Sequence, residues 1–186
     1  MSEKKILLIS DTHGFHENLK AVVAQEAPFD RVLHMGDTEG WDPVIEEIVG
    51  VPVDIVAGNC DWASALPSER TVNIGGVSIF MTHGHEYYVT TGMEVLLDRA
   101  RECGCQVVLF GHTHRPFQQM SDGVLIANPG SISRPRQPGY QPSYGVLSIS
   151  EKGKIEINLK FFENCKRNLE FYPKIAHCTK KQNKSH

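Results

Sequence analysis

The fold is decided near the start of the chain, where residues 4–13 read Lys-Lys-Ile-Leu-Leu-Ile-Ser-Asp-Thr-His. The continuous apolar run at residues 5–10 predicts a strand buried on both faces, because a half-exposed strand would alternate apolar and polar residues. Asp11 and His13, whose side chains bind metals, follow the run directly. Open α/β sheets bind their ligands beyond the carboxyl ends of the strands. This stretch therefore predicts a buried parallel strand with a polar site at its end.

The first half of the chain alternates predicted strands and helices. Further strands are predicted at residues 31–35 and 53–56. Helices are predicted at residues 17–25 and 43–48, the second with Asp42 as its N-cap. Such a β-α-β-α-β series implies right-handed crossovers and neighbouring parallel strands. The carboxyl ends of the three strands are therefore expected at one edge of a sheet.

The second half of the chain is dominated by hairpins. Strands at residues 70–74 and 77–81, joined by Gly75-Gly76, form the first of them. A helix is predicted at residues 91–102, with Gly104 as its cap. The other predicted strands are residues 107–110, 123–127, 144–149 and 154–160. Together these elements predict two packed sheets with helices outside them.

The composition fits one globular domain with a basic tail. A chain of 186 residues that is 40% hydrophobic is long enough for a single well-buried core. We expect this domain over residues 1–163 and a basic tail, partly docked or disordered, over residues 164–186. The net charge is −3, although six Lys or Arg and one acid follow residue 165. The acidic remainder suits cation binding, and no specific nucleic-acid surface is evident.

Cysteine usage and the N-terminal sequence bear on the cellular compartment. The chain has five cysteines, an odd number, and its first apolar run is too short for a signal peptide or a membrane span. We therefore expect a cytoplasmic protein with reduced thiols and no membrane partner. A homodimer or homo-oligomer is left open, because the sequence gives no direct sign of either.

Side chains that bind metals follow five of the predicted strands. They are Asp11, His13, Asp37, Asn59, His83, His85, His112 and His114. Gathering them at one rim costs free energy unless a ligand satisfies them. Carboxylate, amide and imidazole donors suit Mn²⁺, Fe²⁺, Zn²⁺, Co²⁺, Ni²⁺ or Mg²⁺. Asp37 is the candidate bridge between two ions, since one carboxylate has two oxygens to share, and the inferred chemistry is hydrolysis of a phosphate ester.

Each of these residues also has a purely structural explanation. Asp11 would cap the helix that follows it, and Asp37 and Asn59 would be turn residues. We interpret His34, inside its strand, as structural and His16 as an exposed residue near a helix start. The repeated placement of such side chains just after apolar runs favours metal binding for the set as a whole.

Five short blocks of this sequence resemble those of the calcineurin-like metallophosphoesterases. They are Asp11-Thr-His13, Gly36-Asp37, Gly58-Asn59, His83-Gly-His85 and Gly111-His-Thr-His114. The resemblance runs from about residue 6 to residue 136, and Gly58-Asn-Cys-Asp61 with Asn128-Pro-Gly-Ser131 is similar to the compact single-domain phosphodiesterase branch. It implies an α/β fold, α+β in some schemes, that forms a four-layer αββα sandwich of two mixed β-sheets flanked by helices.

The resemblance also implies a role for each ligand. The residues are Asp11, His13 and His114 for the first metal, Asn59, His83 and His112 for the second, and Asp37 as the bridge. A hydroxide between the two ions would attack phosphorus in line, with Asp37, Asn59, Cys60 and His85 as the catalytic group. The two divalent ions are expected to be Mn²⁺, with Ni²⁺, Zn²⁺, Fe²⁺, Co²⁺ and Mg²⁺ as alternatives.

The expected partner is a small phosphate-ester substrate. Ser131, Arg134 and Arg136 lie in the long loop at residues 128–143 and are candidate phosphate-binding residues, because arginine offers a planar fork to phosphoryl oxygens. Ordinary solvation of the loop explains them equally well. The aromatic residues that either line the substrate cleft or pack against the body are Trp62, Tyr87 and Tyr88.

Three functions of different kinds fit this reading. The leading one is a metal-dependent phosphodiesterase, and a phosphomonoesterase or nucleotide hydrolase is the alternative enzyme. The third is a non-catalytic scaffold like the retromer subunit that shares this fold and has a degraded metal site. Every ligand position here holds a competent residue, including His13 and His83, which favours an enzyme. Little length is left for a cap domain, so the site is expected to be open.

Cys60 stands where many members of that family carry a histidine that assists the leaving group. A thiol with an ordinary pKa of about 8.5 is a poorer proton donor near neutrality than an imidazolium. We therefore predict that Cys60→His accelerates hydrolysis of esters with poor leaving groups and changes the rate for aryl esters little. Steady-state rates on the two kinds of ester check this, and an unchanged rate on poor leaving groups would count against it.

Overall fold

The computed structural model describes residues 2–163. The predicted tail at residues 164–186 lies outside the described residues, so the division into domain and tail stays a prediction. The strands within that range are β1 (Lys4–Ile9), β2 (Arg31–His34), β3 (Val53–Ile55), β4 (Glu69–Ile74), β5 (Val77–Thr82), β6 (Val107–Leu109), β7 (Pro116–Ser121), β8 (Val124–Pro129), β9 (Ser143–Ile149) and β10 (Ile155–Phe161). The helices are α1 (Glu17–Glu26), α2 (Asp42–Val49) and α3 (Glu94–Glu102).

The strands form two mixed sheets of five strands each. The first sheet has the order β10-β9-β1-β2-β3, in which β1, β2 and β3 are parallel and β9 and β10 pair antiparallel. The second has the order β4-β5-β6-β8-β7, with β5, β6 and β8 parallel. The parallel strands of each sheet therefore end at one edge, which the β-α-β-α-β series predicts for the first sheet only.

Three apolar clusters hold the layers together. The central cluster joins the facing sides of the two sheets, and it includes Leu8 and Leu33 from the first sheet and Ile79 and Leu109 from the second. A second cluster packs α1 and α2 on the outer face of the first sheet. A third packs α3 on the outer face of the second sheet. Because all three are buried, the molecule is the predicted four-layer αββα sandwich.

Several predicted boundaries differ from the structure. The antiparallel edge strand β7 was not predicted, because Gln118, Gln119 and Met120 are exposed and show no apolar alternation. Helix α3 begins at Glu94 rather than residue 91, after a 3₁₀ turn at His85–Tyr87 and further turns. Gly104 follows the helix with a φ of +64°, as expected for a helix-ending glycine.

Two predictions about single residues at helix starts were wrong. Asp42 is the first residue of α2 rather than its N-cap, which is Trp41. The Asp42 carboxylate instead accepts a hydrogen bond from the Thr38 hydroxyl. His16 is buried at the start of α1, where its ring meets the edge of Trp41, and not exposed as predicted. Trp41, which packs against His16, comes from a later turn of the chain, so the sequence around His16 does not reveal its burial.

No helix within residues 2–163 combines the length and the apolar character needed to cross a membrane.

Candidate metal centre

The predicted ligands lie where the strands of both sheets end. Asp11 follows β1, Asp37 follows β2 and Asn59 follows β3, while His83 directly follows β5 and His112 follows β6. The backbone is left-handed at five of the predicted site residues, which are Asp11, His13, Asp37, His112 and His114. This conformation costs non-glycine residues of order 1–3 kcal/mol each and clusters at functional sites.

Hydrogen bonds between turns and closely packed glycines set the positions of these residues. The Asp11 N–H donates to the Gly36 carbonyl at 3.0 Å, and the His13 N–H donates to the Asp37 carbonyl at 2.9 Å. A Cβ on Gly58 would lie 2.2 Å from Asp37 Oδ1. The glycine beside Asn59 is therefore required for the close approach of the Asp37 turn.

The first group of ligand atoms is compact and buried. It consists of Asp11, His13, Asp37 and His114, whose ligand atoms all lie within 4.8 Å of one another. His13 Nε2 lies 3.5 Å from Asp37 Oδ2, and His114 Nε2 lies 3.1 Å from Asp11 Oδ1 without the alignment of a hydrogen bond. Asp11 Oδ1 is thus a buried carboxylate oxygen with no hydrogen-bond donor, which is the kind of atom that a cation satisfies.

The second group shares Asp37 with the first. His83 Nε2 lies 3.5 Å from Asp37 Oδ2 and 3.1 Å from Asn59 Oδ1. His112 Nδ1 lies 2.9 Å from the same Asn59 oxygen. Asp37 Oδ2 is therefore equidistant from one imidazole of each group, as a bridging carboxylate requires. The nitrogen and oxygen donors of the two groups fit a pair of divalent cations.

The second ring nitrogen of three histidines is held by an acceptor. His83 Nδ1 donates to the Met35 carbonyl at 2.6 Å, and His114 Nδ1 donates to the Arg134 carbonyl at 2.5 Å. His13 Nδ1 lies 2.7 Å from Glu39 Oε1. These contacts orient Nε2 of each ring toward the centre, as supporting acceptors do for metal-bound histidines. Sequence reasoning missed Glu39. Its only sequence signal was that it is an acidic residue two positions after Asp37.

Burial sets the protonation of several ligands. It lowers the pKa of His13, against the raising effect of Glu39, and it lowers the pKa of His112, where nearby His83 acts in the same direction. Burial alone would raise the pKa of Asp11, but the neighbouring His114 and His83 hold it below its usual range. Neutral imidazoles and an ionised carboxylate are the forms that bind cations.

Cys60 and His85, predicted to be catalytic, occupy different positions. The Cys60 N–H donates to Asp37 Oδ1 at 2.9 Å, and its thiol accepts from Asn59 Nδ2 at 3.4 Å. Burial and the Asp37 charge raise the pKa of the Cys60 thiol to about 12. The His85 ring lies beside His83, with centroids 5.4 Å apart, but outside the cavity lining. The catalytic assignment of both residues stays a prediction.

A cavity of about 300 Å³ opens on the two groups. Five of the predicted ligands line it, together with Cys60, Arg134, Arg136 and Tyr140. Ser131 does not face this cavity: its buried hydroxyl donates to the Asp11 carbonyl and accepts from the N–H groups of Ser133 and Arg134. Ser131 therefore shapes the loop, and its role in phosphate binding stays a prediction.

Three other residues named in the sequence analysis lie outside the two ligand groups. His34 is fully buried, and its Nδ1 accepts the Gly36 N–H at 3.2 Å, so it is structural as predicted. The Tyr87 hydroxyl donates to Glu69, and its ring packs against Phe80. Trp62 is almost fully exposed on the wall of a neighbouring cavity.

Asp61 ties together the turns that carry Asp37 and Asn59, and sequence reasoning missed it. Its carboxylate accepts the backbone N–H groups of Gly58 at 2.8 Å, Asp37 at 2.8 Å, Thr38 at 3.3 Å and Glu39 at 2.6 Å. Burial opposes ionisation, but these four donors lower the pKa of Asp61. Its position two residues after Asn59 was the only sequence signal. Asp61 therefore fixes both the bridging carboxylate and Glu39, which orients His13.

A sandwich of two mixed sheets with a buried carboxylate between two imidazole groups is the arrangement expected of a metal-dependent hydrolase. Residues 5–152 match the family described as the calcineurin-like phosphoesterase superfamily domain, and the chain belongs to this family.

Two relatives agree with this assignment, and a solved structure has a similar fold. The chain is 32% identical over 168 residues to the probable metallophosphoesterase YsnB of Bacillus subtilis, covering 89% of this chain and 94% of that protein. It is 30% identical over 178 residues to the phosphodiesterase MJ0936 of Methanocaldococcus jannaschii, covering 84% and 99%. Its fold is similar to vacuolar protein sorting 29 from Cryptosporidium parvum, with a TM-score of 0.70, 22% identity and coverage of 88% and 100%.

We predict that Asp61→Asn weakens metal binding although Asp61 touches no metal. The asparagine amide would place N–H donors against backbone N–H donors, so the Asp37 turn would lose its anchor. A loss of about 10- to 100-fold in Mn²⁺ affinity is expected, as for other supporting groups around metal ligands. Isothermal titration calorimetry measures it.

Asp30→Asn is the matched control, because Asp30 also accepts a backbone N–H, from Lys5, at the opposite end of β1. It should bind Mn²⁺ like the wild type. Circular dichroism would confirm that both variants are folded. Wild-type affinity in folded Asp61→Asn protein would show that the clamp does not position the site.

Proposed function

We propose that this protein is a metal-dependent phosphodiesterase that hydrolyses a small phosphate ester. The observation that carries the proposal is the position of Asp37 Oδ2, 3.5 Å from Nε2 of both His13 and His83. One carboxylate thereby serves two groups of ligand atoms. The phosphodiesterase MJ0936, which matches over 84% of this chain, supports the diester over other phosphate esters.

The side chains around the cavity suit an anionic ester. Two cations held by the ligand groups would supply an activated water and neutralise phosphoryl oxygens. Arg134 and Arg136 line the same cavity and add positive charge where the ester would enter. The left-handed turns and their hydrogen bonds hold the ligands in place before substrate arrives, so little reorganisation is required.

For the cellular metal we propose Mn²⁺. The donors are carboxylate, amide and imidazole, which suit Mn²⁺ but are also compatible with Ni²⁺, Zn²⁺, Fe²⁺, Co²⁺ and Mg²⁺.

For the compartment we propose the cytoplasm. Cys60, Cys103 and Cys105 are free thiols within residues 2–163, which agrees with a reducing environment. Assembly into a homodimer or homo-oligomer stays a prediction from sequence.

A phosphomonoesterase or nucleotide hydrolase is the second candidate. The two arginines at the cavity favour a monoester substrate, because a monoester dianion carries more negative charge than a diester. A non-catalytic scaffold role, like that of the retromer subunit that shares this fold, is disfavoured. The described site has a complete set of ligand side chains. Similarity to vacuolar protein sorting 29 concerns the fold alone.

We predict that chelator-treated protein is inactive and that Mn²⁺ restores hydrolysis of bis(4-nitrophenyl) phosphate. The diester should be preferred over 4-nitrophenyl phosphate by at least about 10-fold in kcat/KM, a difference of about 1.4 kcal/mol in transition-state binding. Asp37→Asn should abolish the restoration, since the shared carboxylate is removed.

Elemental analysis of protein purified without chelator, combined with release of 4-nitrophenol from both esters, provides the measurement. Asp30→Asn again serves as the matched control and should regain full activity. A preference for the monoester would overturn the diester assignment. No hydrolysis of either ester with any of the six cations would instead favour the scaffold.

A further inference from the structure

A second cavity, of about 720 Å³, opens beside the metal centre. We call it the Trp62 cavity; Trp62, Ala63, Ala65, Glu39 and Asp42 line it. Cys60 lines both this cavity and the one over the metal ligands. The two cavities are therefore adjacent, with Cys60 between them and its N–H bonded to Asp37. An ester at the metal centre would have the Trp62 cavity beside it.

Trp62 is presented to this space by an ordered turn. Its side chain is 91% exposed, the largest exposed fraction among the described large apolar residues. The turn is closed on either side of it, since the Asp61 N–H donates to the Gly58 carbonyl at 3.1 Å and the Ser64 N–H donates to the Asp61 carbonyl at 2.8 Å. An exposed indole beside a cleft is a surface on which a flat organic group stacks.

The two cavities differ in their basic residues. Arg134 and Arg136 line the metal cavity, but no lysine or arginine is found among the described residues that line the Trp62 cavity. Its charged groups are the carboxylates of Glu39, Asp42 and Asp61, of which Asp61 is buried and Glu39 lies 3.5 Å from the Arg134 guanidinium. An additional phosphate or carboxylate on the substrate would meet like charge there, which disfavours binding. The cavity is therefore suited to an uncharged group.

We propose that the Trp62 cavity binds the leaving group of the phosphodiester, and that this group is an uncharged alcohol that carries an aromatic ring. The inference rests on the proposed phosphodiesterase function. Water forms a new bond to phosphorus, the bond from phosphorus to the alcohol oxygen breaks, and the departing oxygen keeps the electron pair and takes up a proton. The products are a phosphomonoester and the alcohol, so the net reaction is hydrolysis with no other reactant.

This assignment separates two substrate classes. In a nucleoside polyphosphate cleaved within its phosphate chain, the leaving group is itself a phosphate, which the carboxylates of the Trp62 cavity repel. In a diester of a phenol or a nucleoside hydroxyl, the leaving group carries an uncharged ring that stacks on Trp62. Residues of this cavity therefore determine specificity, whereas the metal ligands carry the chemistry.

The test compares two methyl phosphodiesters with the full-length, Mn²⁺-loaded protein. One has 4-nitrophenol as its leaving group, and the other has 3-carboxy-4-nitrophenol, which adds a negative charge to a similar chromophore. After correction for the hydroxide-catalysed rate of each ester, the wild type should prefer the neutral one by about 10-fold or more in kcat/KM. Asp42→Asn should reduce this preference, because it removes one of the repelling carboxylates.

Trp62→Ala should raise KM for the neutral ester by about 2- to 12-fold, the range of an aromatic contact, and leave kcat within about 2-fold. Trp62→Phe should restore most of the affinity. The matched control is Phe161→Ala, which removes an exposed aromatic ring from β10, outside the Trp62 cavity and the metal cavity. It should change neither parameter.

An unchanged KM in Trp62→Ala, or equal use of the two esters by the wild type, would overturn the leaving-group assignment while phosphodiesterase activity itself persisted. Hydrolysis of neither ester by the Mn²⁺-loaded wild type would overturn the proposed function, and this inference with it. The two failures are therefore distinguishable from the same set of rates.

Discussion

The approach of Asp37 to two imidazole groups is the contact on which the rest of the site depends. Its Oδ2 atom lies 3.5 Å from both His13 and His83, while its Oδ1 accepts the Cys60 N–H. A buried carboxylate that faces two sets of ligands is costly unless cations compensate it. The turns of both sheets meet at this residue, so the fold and the chemistry are connected through one side chain.

The supporting turns explain why such a site persists. Left-handed backbone at Asp11, Asp37 and His112 is unfavourable, but glycine contacts and the Asp61 carboxylate hold the turns against one another. The strain is balanced by the three apolar clusters that pack the strands leading into the site. The surrounding loops place two arginines on one cavity and an exposed indole on the other.

The buried strands and the gathering of polar residues at their ends were largely predictable from sequence, because long apolar runs each end in a polar motif. Strand β7 was not, since an exposed edge strand needs no apolar face. Glu39 and Asp61 were missed for a different reason: their roles are hydrogen bonds to His13 and to the Asp37 turn, which are contacts between distant segments. The exposure of His16 was misjudged because burial of a residue before a helix depends on tertiary packing.

The most direct test of the central claim is electron paramagnetic resonance of the protein saturated with Mn²⁺. Two ions that share the Asp37 carboxylate would lie about 3.5–4 Å apart, close enough for their spins to couple. We predict two Mn²⁺ per chain and an exchange-coupled spectrum. One Mn²⁺ per chain, with the six-line spectrum of an isolated ion, would contradict the account.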